Sequence, residues 1–407
     1  MSSVLQVDGY RRLFVSAAAV ILGVMGQAVA RGWLARELTG TNAGLGGVML
    51  VFGIALLVAT PWGGVAADRF AKRTVLLAAV GALSLSSLLL GLAVVADVVA
   101  YWQLLVAGGV QATAFAFYLP ARIAFITELV AADQITEAVV LSQTAQEAMR
   151  VIGPALAGVL IGASWFGTGG IFLAAAGTSL LAGVVLVGLP PGAPRHRVDR
   201  SPLAEMADGL RYVRARSAIA LVALTTVGVV IVGFPYLTFL PALADERFDV
   251  GAGGYGVMSG VAGLGAVVAG LLSPRSRWMA ARPWRVIAVS GAAFGVALGA
   301  LGLADAYPVA LAALALVGAS GLVFQTSTQS LLLSLSDIEY HGRLQSLVVL
   351  GFSGFGLAAL PFGLLADAWS LKIVLVVMGV AVVLVAAVFA AARRHVGSRL
   401  DHVVELA

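Results

Sequence analysis

The chain has 407 residues and a formal net charge of +5; 60% of it is hydrophobic and only 11% is charged, where soluble domains carry roughly a quarter charged residues. A mean hydropathy of +1.01 excludes an ordinary water-soluble fold. The absence of cysteine excludes disulfides and thiolate metal sites and leaves redox compartment unstated.

A membrane-spanning helix needs roughly 20 consecutive apolar residues, so stretches nearly or wholly free of Asp, Glu, Lys and Arg mark the elements in chain order. Leu13 to Trp33 is the first. It follows Arg11 and Arg12, but it is longer than a signal-peptide core and lacks a small-residue cleavage site, so it reads as a retained helix. Leu38 to Ala67, Thr74 to Ala96 and Val98 to Ala121 come next. Ala138 to Ile161 follows, and a further crossing lies beyond the break at Gly162 to Gly170. The longest polar interruption, Pro190 to Ser217, opens on Pro190, Pro191 and Pro194 and sets Leu203, Met206, Leu210 and Val213 at the spacing of an amphipathic helix. Beyond it, Ala218 to Ala244, Gly251 to Pro274, Val286 to Ala304, Ala306 to Ser336, Leu344 to Ala366 and Ile373 to Ala392 are again uncharged.

The expected fold class is therefore an all-α integral membrane protein of about twelve transmembrane helices. It divides into a six-helix half over 1–190, a linker with an amphipathic helix over 191–217, a second six-helix half over 218–392 and a tail over 393–407. A shift of about 204 residues lays Leu335 to Gln345 over Ala131 to Leu141, with Asp337 on Asp133, as parallel internal repeats would. Most of the 25 Lys and Arg fall on one face, and Arg36, Arg247 and Lys372 fall on the other. That bias places both termini in the cytoplasm and accounts for the basic charge without a nucleic-acid partner.

Between the second and third helices stands Gly64-Val65-Ala66-Ala67-Asp68-Arg69-Phe70-Ala71-Lys72-Arg73. Gly64 allows close helix approach, and Asp68 can face the positive N-terminal end of a helix beginning near Gly342 to Leu344. In the fifth helix, Arg150 is followed by Gly153, Pro154 and Gly158; the glycines flatten the helix surface and the proline removes one backbone hydrogen bond. These segments resemble the loop signature and the antiporter-type Gly-Pro motif of the major facilitator superfamily, although Ala71 and Ala157 stand where that family usually has glycine. Together with Trp33 to Gly40, and with Leu119 to Arg122 and Glu128 to Val130, they resemble the branch of bacterial siderophore exporters and macrolide-type multidrug efflux proteins. In the second half the likeness thins, and Leu271 to Arg277 is a degraded copy of the loop.

The resemblance implies a major facilitator fold gated by Gly64, Asp68, Arg69, Lys72, Arg73, Arg122 and Glu128. Ionisable groups at membrane depth cost a few kcal/mol, so each is a functional candidate. Glu147 and Arg150, at i and i+3, share a helix face; they read either as a structural ion pair or as a proton-coupling site. Arg31 reads as interfacial or cavity-lining. The resemblance further implies that the first, fourth, seventh and tenth helices line a central cavity. That makes Gln27, Gln111, Phe115, Tyr118, Phe234, Tyr236, Phe324, Gln325 and Gln329 candidate substrate contacts, with Thr113 and Phe117 on the same helix as Gln111. Aromatic and amide groups with little fixed charge suit a large amphipathic organic molecule.

No nucleotide-motor loop is present, since Lys72 and Lys372 precede Arg73 and Ile373. The four histidines fall outside the apolar runs, so no metal or other cofactor is expected. The functional expectation is a monomeric, proton-exchanging exporter of a drug-like, siderophore-like or related metabolite in the cell's inner membrane. A nutrient or metabolite proton symporter of the same fold is the alternative, and a non-transporting sensor a more distant one.

Overall fold

A computed structural model of the chain describes residues 3–163, 165–193, 202–272, 282–337 and 340–404. Arg195, Arg197, Arg200 and most of Leu271 to Arg277 lie outside the described residues, as do the side chains of Glu147 and Arg150. Among the described residues the chain forms fourteen α-helices and no strand. They are α1 Asp8–Thr39, α2 Asn42–Arg69, α3 Lys72–Val95, α4 Tyr101–Leu129, α5 Ile135–Gly162, α6 Gly167–Val187 and α7 Pro202–Ala215. Then come α8 Ser217–Gly233, α9 Tyr236–Ala242, α10 Gly251–Leu272, α11 Pro283–Leu303, α12 Tyr307–Ser334, α13 His341–Ala368 and α14 Leu371–Val404. Ten of the spans are long and apolar enough to cross a membrane, and α5 and α13 carry the shorter apolar stretches Ile152–Gly162 and Ser353–Ala368. Leu224 and Val159 are 71% and 68% exposed; such outward-facing apolar side chains require lipid around them.

The helix ends follow local chemistry. Gly40 closes α1 at φ +63°, with its N–H donating to the Arg36 carbonyl (2.8 Å), and Thr41 caps α2 by accepting from the Gly44 N–H (3.0 Å). Where a single run was expected from Ala218 to Ala244, the helix breaks at Phe234 and Pro235, because a proline there cannot continue the amide ladder. Leu243 to Arg247 then form a single π turn.

Helices α1 to α6 pack mainly among themselves, and α8 to α14 do likewise. The two sets meet chiefly where α2 crosses α13 and where α5 crosses α10. In the linker helix α7, Tyr212 and Val213 are buried while Leu210 is 40% exposed. Of the expected apolar stripe Val213 thus faces inward and Leu210 does not, and Tyr212 stacks on Tyr340 at 3.8 Å. Asp337 anchors α7 to the end of α12 by accepting from Tyr212 Oη (3.0 Å) and Arg216 Nη2 (2.9 Å).

Candidate functional site

The contacts between the two helix sets gather at the end of the molecule far from the termini. Arg36, in the last turn of α1, pairs with Asp245 (3.1 Å) and Glu246 (2.7 Å) beyond α9. Trp33 stacks on Tyr255 of α10, with ring centroids 6.4 Å apart, and donates from Nε1 to Glu37. A Cβ on Gly158 would overlap the backbone of Gly256, and one on Gly53 would lie 2.8 Å from the Ser353 carbonyl oxygen. Bare backbone on both sides of these crossings brings the helix axes together, the small-residue packing that membrane interiors favour. The other two far-end cations are also paired: Arg247 with Asp305 (2.7 Å) and Lys372 with the same carboxylate (3.9 Å).

At the end that carries the termini the loop motif is differently engaged. A Cβ added at Gly64 would meet nothing within 4 Å, and Asp68, half-buried, makes no hydrogen bond or ion pair with a described residue. Arg69 is exposed. Lys72, by contrast, is fully buried, pairs with Glu128 at 3.0 Å and donates to the Ala193 carbonyl. The Ala193 N–H donates to the other Glu128 oxygen (3.0 Å), and Arg73 donates from Nη1 to the Leu189 carbonyl (2.7 Å). Gly192 takes φ +74° against Glu128 and Lys72, a conformation that favours glycine. Lys72, Arg73 and Glu128 therefore clamp the start of the linker onto α3 and α4. Ala71 holds φ −57°, so the missing family glycine imposes no strain.

Arg122 is buried in the first helix set, 2% exposed, with Nη1 2.8 Å from the Gln146 amide oxygen when that amide is turned to accept. Tyr10 donates to the Ala138 carbonyl (2.8 Å) and touches Ser142 (3.0 Å). Gly153 and Gly158 serve different neighbours: Gly153 lies against Met25 and Gly26 of α1, Gly158 against α10. Pro154 lies inside α5, between them. Replacing Gly158 by alanine forces α5 and α10 apart at the far end; an overpacking cost of roughly 1–3 kcal/mol should appear as a lower Tm in detergent.

The expected cavity residues divide. Phe234, Phe324, Gln325 and Gln329 line one pocket between α8 and α12, together with Thr226 and Thr328. Tyr236 is buried instead against Phe294, ring centroids 6.1 Å apart. Gln27 faces α3 and accepts from Ser87 (3.1 Å), while Gln111 and Tyr118 are buried within the first set and Phe115 packs on Tyr118. Thr113 and Phe117 line a separate apolar cavity of about 750 Å³ walled by α2, α3 and α4. Arg31 is 2% exposed, and its Nε and Nη2 have no hydrogen-bond partner. Among the described residues, no group of three His, Cys, Asp or Glu could hold a metal.

The family model described as transmembrane secretion effector matches residues 2–404. The chain belongs to this family of major facilitator transporters. Its relatives include the enterobactin exporter EntS of Shigella boydii serotype 18, 26% identical over 83% of this chain and 80% of the relative. The uncharacterized MFS-type transporter YfiS of Bacillus subtilis (strain 168) is 30% identical over 45% of this chain and 43% of its own length. Among solved structures, a bacterial homologue of the lysosomal transporter Spinster, in an inward-facing and unoccupied conformation, superposes with TM-score 0.75 at 14% identity over 97% of this chain and 98% of that one. The nucleoside transporter NupG superposes with TM-score 0.71 at 15% identity over 94% of this chain and 98% of that one; at such identities the likeness is one of fold. Family and fold make this a multi-pass membrane transporter of small molecules rather than an enzyme.

Proposed function

We propose that the protein exports a large amphipathic organic molecule by alternating access in exchange for protons. In this reading it acts as a monomer in the inner membrane, with twelve crossings arranged as two six-helix halves, 1–190 and 218–392. Residues 191–217 form the cytoplasmic linker, and 393–407 and the N-terminus are also cytoplasmic. The observation that carries this reading is the asymmetry of closure: the two helix sets are bolted at the far end by Arg36 with Asp245 and Glu246 and by the glycine crossings, while Gly64 and Asp68 at the termini end are disengaged. This asymmetry supports a carrier open to the side of its termini. Similarity to an enterobactin exporter supports the outward direction, and the aromatic and amide side chains that the sequence sets on α8 and α12, Phe234, Phe324, Gln325 and Gln329, support an uncharged or weakly charged organic substrate. Proteoliposomes loaded with candidate dyes, antibiotics or catechol chelators, with an imposed pH gradient, test it. Accumulation against the substrate gradient that collapses with a protonophore supports the reading. Flux running with the proton gradient in the same direction as the substrate would replace it by symport.

A further inference from the structure

One further bond between the two helix sets is a helix cap supplied across the molecule. Asp367, in the last turn of α13, accepts from the backbone N–H of Asn42 (2.8 Å) and from its side-chain amide (3.0 Å) with one carboxylate oxygen. With the other oxygen it accepts from the backbone N–H of Ala43 (2.8 Å). Thr41 already serves Gly44, so the first amides of α2, which have no partner within their own helix, are satisfied, two of them by a side chain 325 and 324 residues away. The negative carboxylate also faces the positive end of the α2 dipole. From this cap the α2–α13 seam runs inward through Gly363 against Ala43, Gly46 against Ala359 and Gly53 against Gly356, where an added Cβ would lie 2.6–3.1 Å from backbone atoms. Past Gly53 the seam ends, since Gly63 packs on Ala116 of α4 and Gly64 faces open space.

The two helices are antiparallel, and each carries a carboxylate near its C-terminal end, Asp367 on α13 and Asp68 on α2; in this structure Asp367 meets the N-terminal end of α2. We propose that Asp367 is the bolt of the far-end gate, engaged in the present conformation and withdrawn each time that gate opens, when α2 and α13 rock about the Gly53–Gly356 crossing. Asp68 then takes up the reciprocal role at the other end. The proposal rests on the alternating-access reading above. It gives Asp367 a gating role that depends wholly on a partner invisible in sequence. Substrate specificity lies elsewhere; the bolt acts on the populations of the two states.

The chain has no cysteine, so paired cysteines can be introduced for spin labels without background. A far-end pair at Leu38 and Val309 and a near-end pair at Phe70 and Leu272 use exposed side chains. Distance distributions in full-length protein in lipid nanodiscs give the two-state populations. Asp367→Asn keeps the shape but loses the charge and one acceptor; it should raise the far-end-open to far-end-closed ratio about tenfold, the scale of a charged helix cap. Asn42→Ala, which removes only the side-chain donor, should shift it less, and Asp68→Asn should shift it the opposite way. If wild type shows two distances at each pair and Asp367→Asn leaves their weights unchanged, the bolt is disproved while alternating access stands. If wild type holds one distance at each pair under every substrate and pH condition, alternating access fails and takes the bolt with it. Should Asp367→Asn not fold, Asn42→Ala and Asp367→Glu decide the question by the same populations.

Discussion

Glu147→Gln is expected to abolish uphill transport driven by a pH gradient while leaving substrate binding and the exchange of labelled for unlabelled substrate intact. Glu147 is the one carboxylate that the sequence places deep within a membrane helix, in the register of α5 about three turns before Gly158, where α5 meets α10. A carboxylate at that depth is costly when charged and far less so when protonated, so proton uptake and release there can be tied to which side of the carrier is open. Glutamine mimics the protonated form permanently. Arg150→Ala should behave differently: it leaves a carboxylate without its i+3 partner, favours the neutral acid and destabilises the helix by on the order of 3–5 kcal/mol if the pair is buried. Vesicle assays separate the two. Full pH-driven accumulation by Glu147→Gln would make Glu147 a structural residue and move coupling to Asp68 or Glu128.

The helices were legible because apolar runs and charge breaks are local: α2 ends at Arg69 and α3 starts at Lys72 where the charges stand. Which way each helix turns was less legible. In a membrane the outer surface is as apolar as the core, so hydrophobic periodicity no longer marks the inward face. That is why Gln27 and Tyr118, expected in the central cavity, lie instead inside the first helix set. The contacts that join the two helix sets at the far end were the least legible part, since Asp367 meets Asn42, and Arg36 meets Asp245, only after the whole chain has folded. The sequence marks Glu128 through its motif, but the use of that carboxylate in holding Lys72 and the Ala193 backbone depends on a positive-φ turn at Gly192 that no motif announces.

Arg31→Met is expected to raise Tm while sharply reducing transport. The Arg31 side chain is buried at membrane depth in α1, on the face that also carries Gln27, and its Nε and Nη2 donors are unsatisfied. A buried guanidinium with unmet donors costs desolvation that no described partner returns, so an apolar side chain of similar length should stabilise the present conformation. Replacements of buried charges by well-packed apolar groups have gained about 1–4 kcal/mol elsewhere, enough to move the Tm of a membrane bundle by a few degrees. The fold in this conformation therefore gains nothing from the charge, and its use must lie in another step of the cycle. On the alternating-access reading proposed above, opening the far end would part Gly32 from Pro241 and Tyr255, one residue from Arg31, and admit water to the guanidinium. Arg31→Lys, which keeps the charge, should retain part of the transport that Arg31→Met loses. Thermal unfolding and vesicle flux on the same preparations check this, and a destabilised Arg31→Met with proportionally reduced flux would mean that the charge is structural after all.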